Sequence, residues 1–366
     1  MNINGYIRKF GNKTFKEEPF NDIDALILAE LSYINIDMLI PEGKHKVKVK
    51  EIDTKLFNKK VFVESVDALY NKSMLKLMMT SKRFSNCVLK DVVRKFSKED
   101  INQFFAVNVV LPNGDLFLSY RGTDITLIGW KEDFLLTYQS TFLSQIQALE
   151  YADNVLSKCD NKFYLGGHSK GGNLAFYAAL HLDEQYEDRL INAYSFDGPG
   201  FKDGIKQLKT YETRIDRLIK YRTYNDVIGS FYNNMDKYKT VHSTGLLFGG
   251  HDPFFWQING FTGQFMCAKD ISSGSKKYSK RVMKWLDSLT YDDKTLATDA
   301  LFEIFKENNT IYDLAKNVGK NIFQHKKALT RYSDNEQDRL RVLMKRLVKY
   351  IVVGSEIKEE KKDNKK

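Results

Sequence analysis

Cysteine and proline are both scarce: three and five residues in a chain of 366. Cys87, Cys159 and Cys267 are odd in number and scattered, which argues against a disulfide framework and leaves no metal-ligand spacing. Few prolines leave little room for rigid linkers. No apolar run approaches membrane-spanning length. The opening MNINGYIRKFGNKTFKEEPF lacks the continuous apolar core of a secretory signal, so a cytoplasmic protein is the expectation. Aromatic residues are plentiful instead, with 25 Phe and 20 Tyr in a 42% hydrophobic composition. A sizeable core is expected, in one large α/β domain with an appendage or in two domains.

The net charge is +10, and part of it falls late, in KKYSKR (276–281) and RLRVLMKRLVKY (339–350). No nucleic-acid motif accompanies these runs, so no nucleic-acid partner is expected. They read as solvated helix faces, or as a surface for peripheral contact with an anionic membrane.

Along the chain, FNDIDALILAELSYINIDMLI (20–40) predicts a helix capped near Asn21 or Asp22. Residues 44–100 are charged and mixed, which reads as several helices, with helical periodicity in VDALYNKSMLKLMM (66–79). Two apolar runs around Asn113-Gly114 predict a β-hairpin. A long helix follows from about Ser140, then strands at 191–196 and 218–224, and a further strand or hairpin within 238–248. Strands alternating with helices predict a mostly parallel sheet covered on both faces. Past Gly274 four amphipathic segments follow, including TIYDLAKNVGKNIF (310–323), then a charged tail. The expected organisation is an α/β domain over 1–270 with an N-terminal helical cap, a helical extension over 271–355 and a disordered tail over 356–366.

The chemistry centres on YLGGHSKGGNLAFYAAL (164–180). A short apolar run, a glycine-rich turn and a helix-forming run place Gly167, Ser169 and Gly171 in G-x-S-x-G. A serine at the tip of a strand-to-helix turn is strained and exposed, and flanking glycines let strand and helix pass closely. The plain alternative is a glycine-rich turn whose serine caps a helix. A nucleophile needs an acid, a base and oxyanion donors. Asp197 and Asp226 both follow predicted strands; chain order favours Asp226, while Asp197, before Gly-Pro-Gly, suits an Asx turn. Of six histidines, His251 lies in a glycine-rich loop beside aromatic residues and is preferred as base over His242. His168 adjoins the serine and should point beneath the turn. The Lys170 N–H is expected as one oxyanion donor, and the loop Arg121-Gly122-Thr123 as the source of the other, where Thr123 offers both an N–H and a hydroxyl; a simple turn with a surface arginine is the alternative. No cofactor is expected.

SYRGTDITLIGWKEDF (119–134) and the GHSKGG turn resemble the class 3, fungal-type lipases, which carry F-R-G-[ST], a Trp-x-x-Asp continuation and G-H-S-L-G-G. SFDGPGF and YNDVIG are similar to downstream segments of that family. The chain resembles still more a bacterial lipase-like family of unassigned activity, which shares PFNDIDALILAELSY, GHSKGGNLA, FDGPGF and His-Asp-Pro-Phe-x-Trp. The resemblance spans about residues 15–260. It implies an α/β-hydrolase fold and a serine ester hydrolase with Ser169 as nucleophile, Asp226 as acid, His251 as base, and Thr123 and Lys170 as oxyanion donors. The implied substrate is a small-molecule or lipid ester. A catalytically silent scaffold, an acyltransferase or a thioesterase are the alternatives. Lys170 stands where typical lipases have an apolar residue, which places a charge near the pocket. By the same analogy 126–130 corresponds to a lid, though core packing is the simpler role for Leu127, Ile128 and Trp130.

Overall fold

A run of five parallel strands in unbroken sequence order positions everything else. The computed structural model describes residues 1–62, 68–124, 126–202, 205–232, 235, 237–245, 247–305 and 330–348. Among these, β1 (Lys46–Lys48), β2 (Val88–Ser97), β3 (Asn102–Val110) and β4 (Leu116–Tyr120) pair antiparallel. From β4 the sheet continues parallel through β5 (Phe163–His168), β6 (Leu190–Phe196), β7 (Leu218–Thr223) and β8 (Lys239–Val241). The two-residue β9 (Cys267–Ala268) ends it antiparallel.

Right-handed crossovers between strands taken in order all fall on one face of a sheet. Here α5 (Leu143–Leu156), α6 (Lys170–His181) and α7 (Lys209–Arg214) make those connections and build one core with Leu116, Leu118, Phe163 and Leu165. The other face needs a separate cover. It comes from the N-terminus, as α1 (Ile3–Phe10), α2 (Asp22–Leu31) and α3 (Ala68–Thr80) pack on Phe105, Val107, Phe117, Tyr164, Tyr194 and Tyr221. Alternate strand residues thus serve the two layers, as the period-two geometry of a strand requires. The expected N-terminal cap is therefore the second layer under the sheet.

Asn21 caps α2 and forms a capping box with Asp24, as its sequence suggested. Asp24 is fully buried and paired with Arg83, whose guanidinium also donates to the carbonyls of Glu18 at 2.9 Å and Pro19 at 3.0 Å. Arg83→Met strands the carboxylate, and chemical denaturation should show a loss of about 3–5 kcal/mol.

The hairpin at Asn113-Gly114 is present, with Gly114 at φ +94°. The reading of 44–100 as several helices needs correction. Among the described residues only α3 is an α-helix there; the rest includes 3₁₀ turns, β1 and the ten-residue β2. Only three residues of β1 lie outside β2, so much of it carries the charge of a near-edge strand, which masked its apolar alternation. Asp91, at φ +50°, marks its bulge.

Thr126 caps α4 (Leu127–Leu135), so the lid-like segment is the first turn of a helix. Later helices are α8 (Ser273–Asp287), α9 (Tyr291–Phe305) and α10 (Asp334–Val348). α9 packs on α4 through Phe302 against Phe134 and an Asp299–Lys131 ion pair at 3.0 Å. The helix expected over 310–323 and the tail over 356–366 lie outside the described residues. No described helix is long and apolar enough to cross a membrane. The three cysteines are free thiols.

Candidate active site

The strand β5 ends at His168 and α6 begins at Lys170, which leaves one residue to make the turn. That residue is Ser169, at φ +56° and ψ −132°. A non-glycine residue there is strained, and the surroundings must hold it. Two glycines permit the crossing: a Cβ on Gly167 would sit 2.3 Å from the carbonyl carbon of Gly171, and one on Gly171 would sit 2.1 Å from the carbonyl oxygen of Tyr120. From Phe163 to Leu180 every residue is buried except Ser169.

The adjacent strand ends in the same way. Asp197 follows β6 at φ +50° and is fully buried. Its carboxylate accepts from the Thr223 backbone N–H at 3.2 Å and meets His251 Nδ1 at 2.7 Å. Burial pushes this carboxyl up, but the hydrogen bond and charge of His251, with the Thr223 donor, hold it below its ordinary value. Burial pushes the His251 imidazole down, and its hydrogen bond and charge pairing with Asp197 reverse this, leaving it raised.

His251 closes a 3₁₀ turn, Leu247–His251, and Asp252 caps the next one. The loop is held from below. His168 Nε2 meets the His251 carbonyl at 2.9 Å, while its Nδ1 lies 3.1 Å from the buried Glu30 carboxylate. The two imidazoles lie 4.5 Å apart, so His251 sits over the residue that precedes Ser169. His168 thus points beneath the turn, in the direction expected.

Asp226 lies close to Asp197, both reaching the space beside Gly229, but it turns to other partners. It lies past the end of β7 and accepts from Arg222 Nε at 2.5 Å, Ser230 N at 3.2 Å and Ser230 Oγ at 3.0 Å. Burial, and then the charge of Asp197, push it up to about 6. The structure therefore reverses the preference between the two aspartates: His251 pairs with Asp197, and Asp226 pairs with Arg222. The physical reason is placement, because the histidine loop crosses the tip of β6.

The histidine not chosen, His242, follows β8 and packs its ring 5.4 Å from Tyr224. His181 stacks on Tyr177 at 3.9 Å, and His325 is outside the described residues.

On the other side of Ser169 the end of β4 passes so close that a Cβ on Gly122 would lie 3.1 Å from Ser169 Cβ. Arg121 is buried and donates to the carbonyl of Ile34 and to Asn35 Oδ1, so it is no surface arginine. Thr123 Oγ1 donates to Asp133 Oδ1 at 2.7 Å. Burial raises the Asp133 carboxyl to about 6 against the pull of Lys170 and Thr123. Lys170, as the first residue of α6, has an N–H with no intrahelical acceptor. Its side chain does not place a charge in the pocket. It runs beneath the turn, 1% exposed, to Glu132 on α4 and to the Gln103 carbonyl at 3.0 Å. Glu30 and Glu132 are the functional candidates that pattern reading missed; Asp133 was present only as the last position of Trp-x-x-Asp.

Among solved structures, a crystal structure of M37 lipase matches at 16% identity and a TM-score of 0.35, covering 56% of this chain and 67% of that one. No curated protein matches. The model of the Mbeg1-like family matches residues 78–303, more than half of the sequence and the span that holds Thr123, Ser169, Asp197 and His251, and the chain belongs to that family.

Proposed function

We propose that this chain is a serine hydrolase of the α/β-hydrolase type acting on a carboxylic ester. The observation that carries the reading is the strained, half-buried Ser169 at the tip of β5, with the His251–Asp197 pair over the neighbouring His168. In this scheme Ser169 Oγ attacks the ester carbonyl carbon as its proton passes to His251 Nε2. Asp197, on Nδ1, orients the ring and stabilises the imidazolium without taking the proton. The negative oxygen of the tetrahedral intermediate is met by the backbone N–H groups of Lys170 and Thr123, the Thr123 hydroxyl being held by Asp133. Collapse breaks the bond to the alcohol, which leaves with the proton from His251. Water, activated by the same histidine, then releases the acid and restores Ser169.

A lipid ester, such as an acylglycerol or a lysophospholipid, is the substrate class we assign, in keeping with the lipase resemblance of the 119–134 and 164–180 motifs. The same groups would also serve thioester cleavage or acyl transfer, and turnover on a matched ester and thioester separates these.

The pH profile of p-nitrophenyl butyrate hydrolysis tests the scheme. His251 must be neutral to accept the proton, and its pairing with Asp197 raises it above the ordinary value. Activity should therefore fall as pH drops through a midpoint above about 6.5. His251→Ala should lose this limb together with nearly all activity, and His242→Ala should keep both. An active His251→Ala beside an inactive, folded His242→Ala contradicts the assignment.

A further inference from the structure

The reading of Ser169 as nucleophile leaves an unexplained feature directly after it, a lysine with its charge wholly buried. Burying an ammonium is costly unless it is paired and hydrogen-bonded. Lys170 Nζ meets both conditions, with Glu132 and the Gln103 carbonyl. Glu132, itself fully buried, also accepts from Ser144 Oγ and from the Gln103 N–H at 3.3 Å. The next residue on α4 is Asp133, which holds Thr123 through its hydroxyl at 2.7 Å. Gln103 joins the two sides, since its Nε2 donates to Thr126 Oγ1, the cap of α4, at 3.4 Å. Adjacent residues of one helix therefore hold Lys170 by its side chain and Thr123 by its hydroxyl.

We propose that Lys170 and Glu132 are a positioning pair: through α4 they set the separation between the Lys170 N–H and Thr123, and so the fit of the site to a tetrahedral oxyanion. This rests on the assignment of Ser169 as nucleophile. Neither side chain touches substrate, and the effect is on where the donors stand. Such an effect acts on the transition state more than on the ground state, so it lowers kcat and spares KM. A misplacement approaching 1 Å costs on the order of 10²-fold.

The test compares wild type, Lys170→Met/Glu132→Gln and Glu132→Asp. The double substitution removes both charges together, so no lone buried charge remains, and glutamine keeps an acceptor for the Gln103 N–H while its amide N–H can donate to Ser144 Oγ. Glu132→Asp keeps the charge and shortens the reach, and it carries the test if the double variant does not fold. The readouts are ester kcat and KM and the inhibition constant of butylboronic acid, which forms a tetrahedral adduct with an active serine. Both variants should show kcat lower by about 10-fold to 100-fold, KM within about 2-fold, and boronate binding weakened in step with kcat. A merely structural pair lowers the amount of folded enzyme and leaves the boronate constant unchanged, which overturns the proposal, as does wild-type kcat in either folded variant. Wild type without Ser169-dependent turnover overturns the serine-hydrolase reading and this inference with it.

Discussion

Ser169→Ala should bring ester hydrolysis to background, a loss of about 10⁶-fold in kcat if the serine acts as one unit with its base. The substitution removes a hydroxyl from a half-buried turn residue and keeps the backbone of a non-glycine residue at φ +56°. Stability should therefore change by less than about 0.5 kcal/mol. Circular dichroism and thermal unfolding of the purified variant check the second expectation, and initial rates check the first. Residual turnover that scales with the variant's concentration would mean that another group attacks the ester.

Asp197→Asn should cost about 10⁴-fold in kcat, because an amide favours the wrong tautomer of His251 and cannot stabilise its positive charge. Asp226→Asn should have a much smaller effect. Asp226 spends its acceptors on Arg222 and Ser230 and does not hold the histidine, so its loss bears on packing around Arg222 more than on kcat. Measured side by side under one assay, the two variants decide which strand tip supplies the acid. An inactive Asp226→Asn with an active Asp197→Asn would return the assignment to the one that chain order suggests. The acid limb should also move: without the Asp197 charge the imidazole loses the largest of the effects that raise it, and any residual activity should extend to lower pH.

The features that chain-local physics decides were legible in the sequence. Asn21 announces α2 because an unpaired helix N-terminus needs an acceptor, and Asn113-Gly114 announces a hairpin because Gly114 tolerates φ +94°. The G-x-S-x-G turn is legible for a similar reason, since only glycines fit where β5 and α6 cross. Features set by distant partners were not. Asp197 and Asp226 both end strands, and what separates them is the path of the histidine loop, 54 residues after Asp197. The charge of Lys170 suggested a polar pocket, but its partner Glu132 stands 38 residues earlier on another helix. Glu30 reaches His168 across the sheet's second layer, a layer that exists because ordered parallel strands leave one face bare.

The most direct measurement is the site of covalent capture. A fluorophosphonate ester reacts with a serine only when a base and oxyanion donors activate it. Full-length protein treated with the probe near pH 8, digested and sequenced by mass spectrometry should carry one phosphonyl group, on Ser169, and folded His251→Ala should carry essentially none. Folded wild-type protein that stays unlabelled, or that is labelled at another residue while Ser169 remains free, contradicts the account.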